Sequence, residues 1–266
     1  VNTEKISVTA FSEKLRQNGI TVERGSMNDT SLLISGYDYI RKVPGFFDGE
    51  FVVQDQSSCL AVKAAGINEG DLVVDVCAAP GGKTMYAAML TGSEGHVISR
   101  DLIDKKTELI EENIERLGLS NVTVQVHDAR EFDEELTGKA DVVIADLPCS
   151  GLGIMGRKND IKYHVSMESV KELAQLQREI LDTVCRYVKP GGTLVYSTCT
   201  IDSIENDENA VWFADTHDFS LCGIDDVVPE HGGERGFVTL HQGIDECDGF
   251  FISKFRADSN NQIGQE

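Results

Sequence analysis

The sequence predicts an α/β fold: a mostly parallel seven-stranded sheet with helices on both faces, preceded by a small α/β unit. Three observations carry this. From about residue 70 the chain repeats short apolar run, turn and helical pattern, the signature of a parallel sheet covered on both sides. The first of these runs opens directly onto a glycine-rich turn and a helix. Near the end, GFVTL and GFFISKF read as a closing antiparallel pair.

The elements follow in order. VNTEKIS reads as a short strand, TAFSEKLRQNG as a helix closed by Gly19, and ITVERG and SLLISG as strands; together they make an N-terminal unit over residues 1–45. GFFDGEFVVQD looks like a strand entering the helix SSCLAVKAAG. LVVDV (72–76) is followed by CAAPGGKT and the helix TMYAAML. HVISR (96–100) leads to a helix over 104–117, with Ile103, Ile110, Ile114 and Leu117 at helical spacing. VTVQV (122–126) and ADVVIAD (140–146) are the next strands. A helix from Ser166 to Val188 is expected to end at Pro190-Gly191-Gly192, before the strand TLVYST (193–198). An acidic helix (205–215) and the closing pair complete a domain over 46–256, and the polar tail 257–266 is expected to be disordered.

Composition narrows the function classes. No apolar run approaches the roughly 20 residues of a membrane-spanning helix, and VNTEKISVTA has no signal-like apolar core. The chain begins without methionine, so a processed or shortened product is expected. Seven cysteines without a CxxC pair argue against a disulfide framework and a metal site, and fit the reducing cytoplasm. Cys59, Cys185, Cys222 and Cys247 read as ordinary small hydrophobes. The net charge of −21 is unusual for a nucleic-acid enzyme, and it is unevenly spread. Residues 1–45 hold six basic and five acidic side chains, which leaves −22 on the remainder. Tight unaided binding to RNA is not expected.

The residues suited to chemistry sit at the carboxyl ends of the strands, where open parallel sheets bind ligands. Cys77-Ala-Ala-Pro-Gly-Gly-Lys83 follows the first, Asp101 the second and Asp128 the third; Asp146 and Cys149 follow the fourth, Cys199 the fifth. Cys77 stands where a phosphate-binding P-loop needs glycine, and GxGxxG is absent. What remains is a tight turn at a helix N-terminus, with Asp101 placed to accept two ribose hydroxyls. That suits an adenosine cofactor without phosphates.

Asp146-Leu-Pro-Cys149 and Ser197-Thr198-Cys199 place two thiols at strand ends that lie about 5 Å apart if the strands are neighbours. A thiolate added to carbon 6 of cytosine pushes electrons onto carbon 5, which can then take a methyl group. Spacing alone leaves open which cysteine attacks.

With CAAPGGKT, DLPCSGLG followed by RKNDIK, KPGG, YSTCT and DGFF in this order, the chain resembles the Nop2/Sun family of RNA 5-methylcytosine methyltransferases, over about residues 1–256. The bacterial RsmB (Sun) type, which acts on small-subunit ribosomal RNA, looks nearest. The resemblance implies a Rossmann-like S-adenosylmethionine-dependent methyltransferase. Cys77, Ala78, Ala79, Pro80, Gly81, Gly82 and Lys83 would contact the cofactor and Asp101 its ribose. Asp128 would lie by the adenine, and Asp146 near the methionine end or the target base. Cys199 would be the nucleophile and Cys149 would assist release, the reverse of the assignment in DNA cytosine methyltransferases. Leu147 and Thr200 depart slightly from the motifs. RsmB-type proteins also carry a helical RNA-binding domain ahead of the segment matching VNT, which is expected to be missing here. Arg157, Lys158 and Lys162 are candidate phosphate contacts, and residues 1–45 are either an RNA contact or a structural cap. The partners expected are RNA, which the resemblance implies is small-subunit ribosomal RNA, with no membrane, no metal and a monomeric state. The alternatives are a methyltransferase on another substrate, against which the paired strand-end cysteines argue, and an inactive RNA-binding or assembly factor, against which the intact Asp101, Cys149 and Cys199 argue.

Overall fold

The computed structural model describes residues 1–228 and 233–259. Helix α1 (Val8–Gln17) starts where Ser7 accepts a hydrogen bond from the Ala10 N–H and ends at Gly19, whose φ of +78° lets its N–H return to the Arg16 carbonyl. Strands β1 (Thr21–Arg24) and β2 (Leu32–Ser35) pair antiparallel. The segment VNTEKIS is a turn, not the expected strand. Asn2 is buried, its side chain donates to the Gly49 carbonyl at 3.0 Å, and the N–H groups of Lys5 and Ile6 both fold back on its own carbonyl. GFFDGEFVVQD is likewise not a strand. It winds back so that Phe46 and Phe51 join Phe11, Leu15, Ile20 and Val22 in a small separate core. That core therefore reaches past residue 45, and Arg116 ties it down by donating to the Phe46 and Phe51 carbonyls at 3.0 Å each.

The main sheet is entered through α2 (Gln56–Ala65), capped by Asp55. Then come β3 (Leu72–Asp75), α3 (Gly82–Thr91), β4 (His96–Asp101), α4 (Asp104–Leu117), β5 (Val122–Val126) and β6 (Ala140–Asp146). A short α5 (Ile161–His164) and a long α6 (Met167–Val184) lead to β7 (Val188–Thr198), α7 (Asp207–Thr216), β8 (Phe219–Leu221), β9 (Phe237–Leu240) and β10 (Phe250–Ala257). The strand order is β5-β4-β3-β6-β7-β10-β8, with β9 also on β10. β3 to β7 run parallel, and β10 is antiparallel to all three of its partners. Two apolar cores, one per face, bury Val73 and Val74 on opposite sides of β3. The order reverses between β3 and β6, so the tops of these strands open a crevice at the switch point.

Three more sequence expectations shift. α6 stops at Val184 and a single 3-10 turn (Cys185–Tyr187) follows, so Pro190-Gly191-Gly192 lies within β7 as a bulge; the register jumps from Ala140↔Val188 to Val142↔Thr193. β8 is an added edge strand that its three residues did not announce. β10 runs through Ala257, which is buried, so the expected tail loses its first residue; residues 260–266 of it lie outside the described residues.

Candidate active site

On the cofactor side the sheet presents backbone. The turn after β3 is stitched to β4: the Ala78 N–H reaches the Arg100 carbonyl at 2.8 Å, and the Ala79 N–H reaches Asp101 Oδ2 at 3.2 Å. Gly81 sits at φ +103°, and a Cβ there would lie 3.1 Å from the Met85 side chain and 3.3 Å from Ile110. Asp101 is 6% exposed, and its Oδ1 also accepts from the Ile103 N–H at 3.3 Å. Below the turn, Asp75 is fully buried and accepts from the Thr84 hydroxyl at 2.7 Å, while its Oδ1 has no hydrogen-bond partner. Burial raises its carboxyl from the usual range to about 7. Asp128 stands at the end of β5 beside Asp101 but is gripped by Arg130, two residues on, at 2.6 Å; those bonds hold its carboxyl below the usual range. Cys77 packs toward the core, and burial pushes its thiol well up.

On the other side of the switch point the sheet presents side chains. Asp146 ends β6 opposite Ser197 of β7, whose hydroxyl donates to Asp146 Oδ1 at 2.8 Å. Lys83, from the first turn of α3, donates to Asp146 Oδ2 and to the Ser58 hydroxyl at 2.6 Å each. Lys83 thus bridges the glycine turn to the catalytic side, a role its place in the turn did not reveal. Beyond Asp146, Cys149 and Cys199 bring their sulfurs to 3.1 Å, both as free thiols. The contact splits their acidities. The hydrogen bond from Cys149 lowers the Cys199 thiol, assisted by the positive charge of Lys83, and the same bond with burial raises Cys149.

The 16S rRNA methyltransferase RsmB/F family matches residues 63–256. The chain belongs to this family. It is 39% identical over 266 residues to a probable ribosomal RNA small subunit methyltransferase B of Bacillus subtilis, covering 96% of this chain and 58% of that one. It therefore spans well under two thirds of that relative's length. Among solved structures it is similar to PH0851 (TM-score 0.90, 32% identity, 96% of this chain and 58% of that chain). It is also similar to NSun6 from Pyrococcus horikoshii with SFG (TM-score 0.71, 29% identity, 83% of this chain and 56% of that chain).

Within this RsmB/F chain the basic loop behaves differently from its sequence reading. Arg157 is folded onto two carboxylates, Asp55 at 2.7 Å and Asp248 at 3.0 Å, rather than left free for phosphates. Lys158 and Lys162 are exposed, Lys162 lying over the Tyr163 ring at 5.0 Å. A cleft of about 630 Å³ separates the N-terminal hairpin from α2 and α3, lined in part by Leu33, Tyr37, Gln54, Tyr86 and Arg157. Neither Cys149 nor Cys199 lines it. Several residues that matter were not singled out from sequence. Gly153 and Gly249 pack backbone to backbone: a Cβ on Gly153 would lie 2.0 Å from the Gly249 carbonyl oxygen. Their motifs, GLG and DGFF, were on the page, but only the fold shows that they meet. Glu205 and Asn206, fully buried behind the cysteines, read in sequence only as the start of an acidic helix.

Proposed function

We propose that this chain transfers a methyl group from S-adenosylmethionine to carbon 5 of a cytosine in small-subunit ribosomal RNA, with Cys199 as nucleophile. The observation that carries the proposal is the pair of free thiols at 3.1 Å beyond the ends of adjacent strands, a contact that lowers the Cys199 thiol. The names of the relatives support the RNA class, and the bound analogue of S-adenosylmethionine in NSun6 supports the cofactor. This chain's own residues fit that group: a buried carboxylate, Asp101, stands beside the glycine-rich turn and accepts from its Ala79 N–H.

S-adenosylmethionine supplies, when bound, an electrophilic methyl group. Asp101 and the Cys77–Lys83 turn bind it, and Asp128 borders the adenine end. Lys83 and Ser197 hold Asp146 at the mouth between cofactor and base. The Cys199 thiolate adds to carbon 6 of the cytosine, breaking the C5–C6 π bond and loading density onto carbon 5. Once carbon 5 carries the methyl group, removal of its proton and expulsion of the Cys199 sulfur restore the ring. Cys149, whose thiol faces that sulfur, assists this release. An inactive assembly factor would have no use for two free thiols facing each other beside a lysine-bound carboxylate.

The test is transfer of labelled methyl from S-adenosylmethionine to small-subunit ribosomal RNA, with the product base mapped by mass spectrometry. 5-Methylcytosine is the expected product; a methylated amino group or ribose would overturn the proposal.

A further inference from the structure

Glu205 and Asn206 are adjacent, both fully buried, and they reach in different directions. The Glu205 carboxylate accepts from the Ser150 N–H at 2.9 Å, from the Ser150 hydroxyl, and from Gln177 Nε2 at 3.0 Å. These bonds fix the residue directly after Cys149. Asn206 faces the other loop. Its Oδ1 accepts from the Thr198 hydroxyl at 2.6 Å and its Nδ2 donates to the Thr200 carbonyl at 3.0 Å, so it grips the residues on either side of Cys199. The hydroxyls of Ser150 and Thr200 then meet at 2.8 Å, closing the gap between the loops. The whole arrangement is tied to β7 through the Tyr196 hydroxyl, which donates to the Glu205 carbonyl.

The donors to the Glu205 carboxylate are neutral. Burying a carboxylate on neutral donors costs stability that an apolar side chain of the same volume would not. Stability alone therefore does not account for Glu205 at this position, whereas the placement of Ser150 does. The sulfur–sulfur contact needs two loops, about fifty residues apart in the chain, to agree within a fraction of an ångström. Two consecutive residues, each holding one loop, meet that requirement.

We infer that Glu205 and Asn206 are positioning residues for the thiol pair, Glu205 setting the Cys149 loop and Asn206 the Cys199 loop. This rests on the catalytic reading above and adds to it the part of the fold that makes the two thiols act together. The two residues should fail differently. Loosening Glu205 moves the thiol that assists release, so the covalent protein–RNA adduct accumulates. Loosening Asn206 moves the attacking sulfur, so no adduct forms. Either change disturbs the Cys149–Cys199 hydrogen bond, the contact that lowers the Cys199 thiol.

The experiment uses the full chain carrying Glu205→Gln or Asn206→Ala, with circular dichroism as the check on folding. First, alkylation of Cys199 by iodoacetamide at neutral pH is followed by peptide mass spectrometry, with Cys222 as internal reference. Several-fold slowing at Cys199 is expected in both variants, with Cys222 unchanged. Second, each variant is incubated with RNA and S-adenosylmethionine and run on a denaturing gel. Turnover should fall by about 10²-fold in each, the usual cost of misplacing a reacting group by an ångström. The adduct should appear with Glu205→Gln alone. If either variant does not fold, Ser150→Ala and Thr198→Val remove single bonds of the same two grips and carry the same expectations. Wild-type alkylation of Cys199 in folded variants would overturn the inference, as would equal loss of adduct and turnover in both, in step with melting temperature. Should the wild-type chain methylate no RNA at all, the proposed function fails, while the alkylation rates still decide the positioning roles.

Discussion

The two halves of the crevice are built from different material. Over β3 and β4 the surface is backbone: N–H groups of the glycine turn, a left-handed Gly81 and one buried carboxylate to receive them. Over β6 and β7 it is side chain: Asp146, Lys83, Ser197 and two thiols, each fixed by another side chain behind it. A backbone surface holds a ligand of constant shape and changes little. A side-chain surface can carry charge and protons, but only while its supports hold. The cofactor half is accordingly expected to tolerate substitution of its neighbours, and the catalytic half to be sensitive at a distance.

The largest effect tests the catalytic half. Lys83→Met strands Asp146 without its cation. Breaking a buried pair costs about 3–5 kcal/mol, and the lower end applies because Asp146 retains 28% side-chain exposure. Melting experiments near neutral pH should show a drop of that order. No change in melting would mean that the ion pair contributes nothing to this half.

The β3–β4 half yields a pH effect. Asp75 is raised from 3.8 to about 7 in the folded chain, so folding retains a proton that the unfolded chain gives up. Its contribution is fully present below about pH 4 and is lost as pH rises toward 7, at roughly 1.4 kcal/mol per pH unit. Asp75→Asn should remove this slope and gain in melting temperature over the wild type across that window. Parallel pH profiles for the two proteins would show that Asp75 does not keep its proton.

Asp101→Ala should weaken binding of S-adenosylmethionine by roughly 1–3 kcal/mol, the worth of charge-assisted hydrogen bonds, with little change in the reactivity of Cys199. Calorimetry measures the first and alkylation the second. Unchanged affinity would place the cofactor elsewhere. The smallest effect belongs to Arg157. Its pairs with Asp55 and Asp248 are 61% exposed on the arginine side, so Arg157→Ala should cost under about 1 kcal/mol of stability. It should also change RNA affinity little, by filter binding at several salt concentrations. A steep loss of salt dependence would restore Arg157 as a phosphate contact.

The same contrast explains what the sequence made legible. The glycine turn, Asp101 and the strand runs are local patterns, and each appears where its spacing puts it; helix 104–117 and strand 140–146 match to the residue. Cys149 and Cys199 could be paired in advance only on the condition that their strands are neighbours, which the β6–β7 pairing meets. Their supports could not. Glu205 meets Ser150 across 55 residues and Lys83 meets Asp146 across 63, and no local period records such contacts. The errors are of one kind as well. VNTEKIS and GFFDGEFVVQD have strand-like composition, yet tertiary contacts from Asn2, Phe46 and Phe51 pull them into turns. Pro190-Gly191-Gly192 resembles a helix stop and serves as a strand bulge, because β6 offers pairing partners on both sides of it.

The most direct test of the account is the assignment of the two thiols. Cys149→Ala and Cys199→Ala are each incubated with RNA and S-adenosylmethionine and resolved on a denaturing gel. Attack by Cys199 predicts a protein–RNA adduct that survives denaturation with Cys149→Ala, and neither adduct nor methylation with Cys199→Ala. An adduct with Cys199→Ala and none with Cys149→Ala would reverse the roles, and methylation by both variants would contradict the covalent mechanism itself.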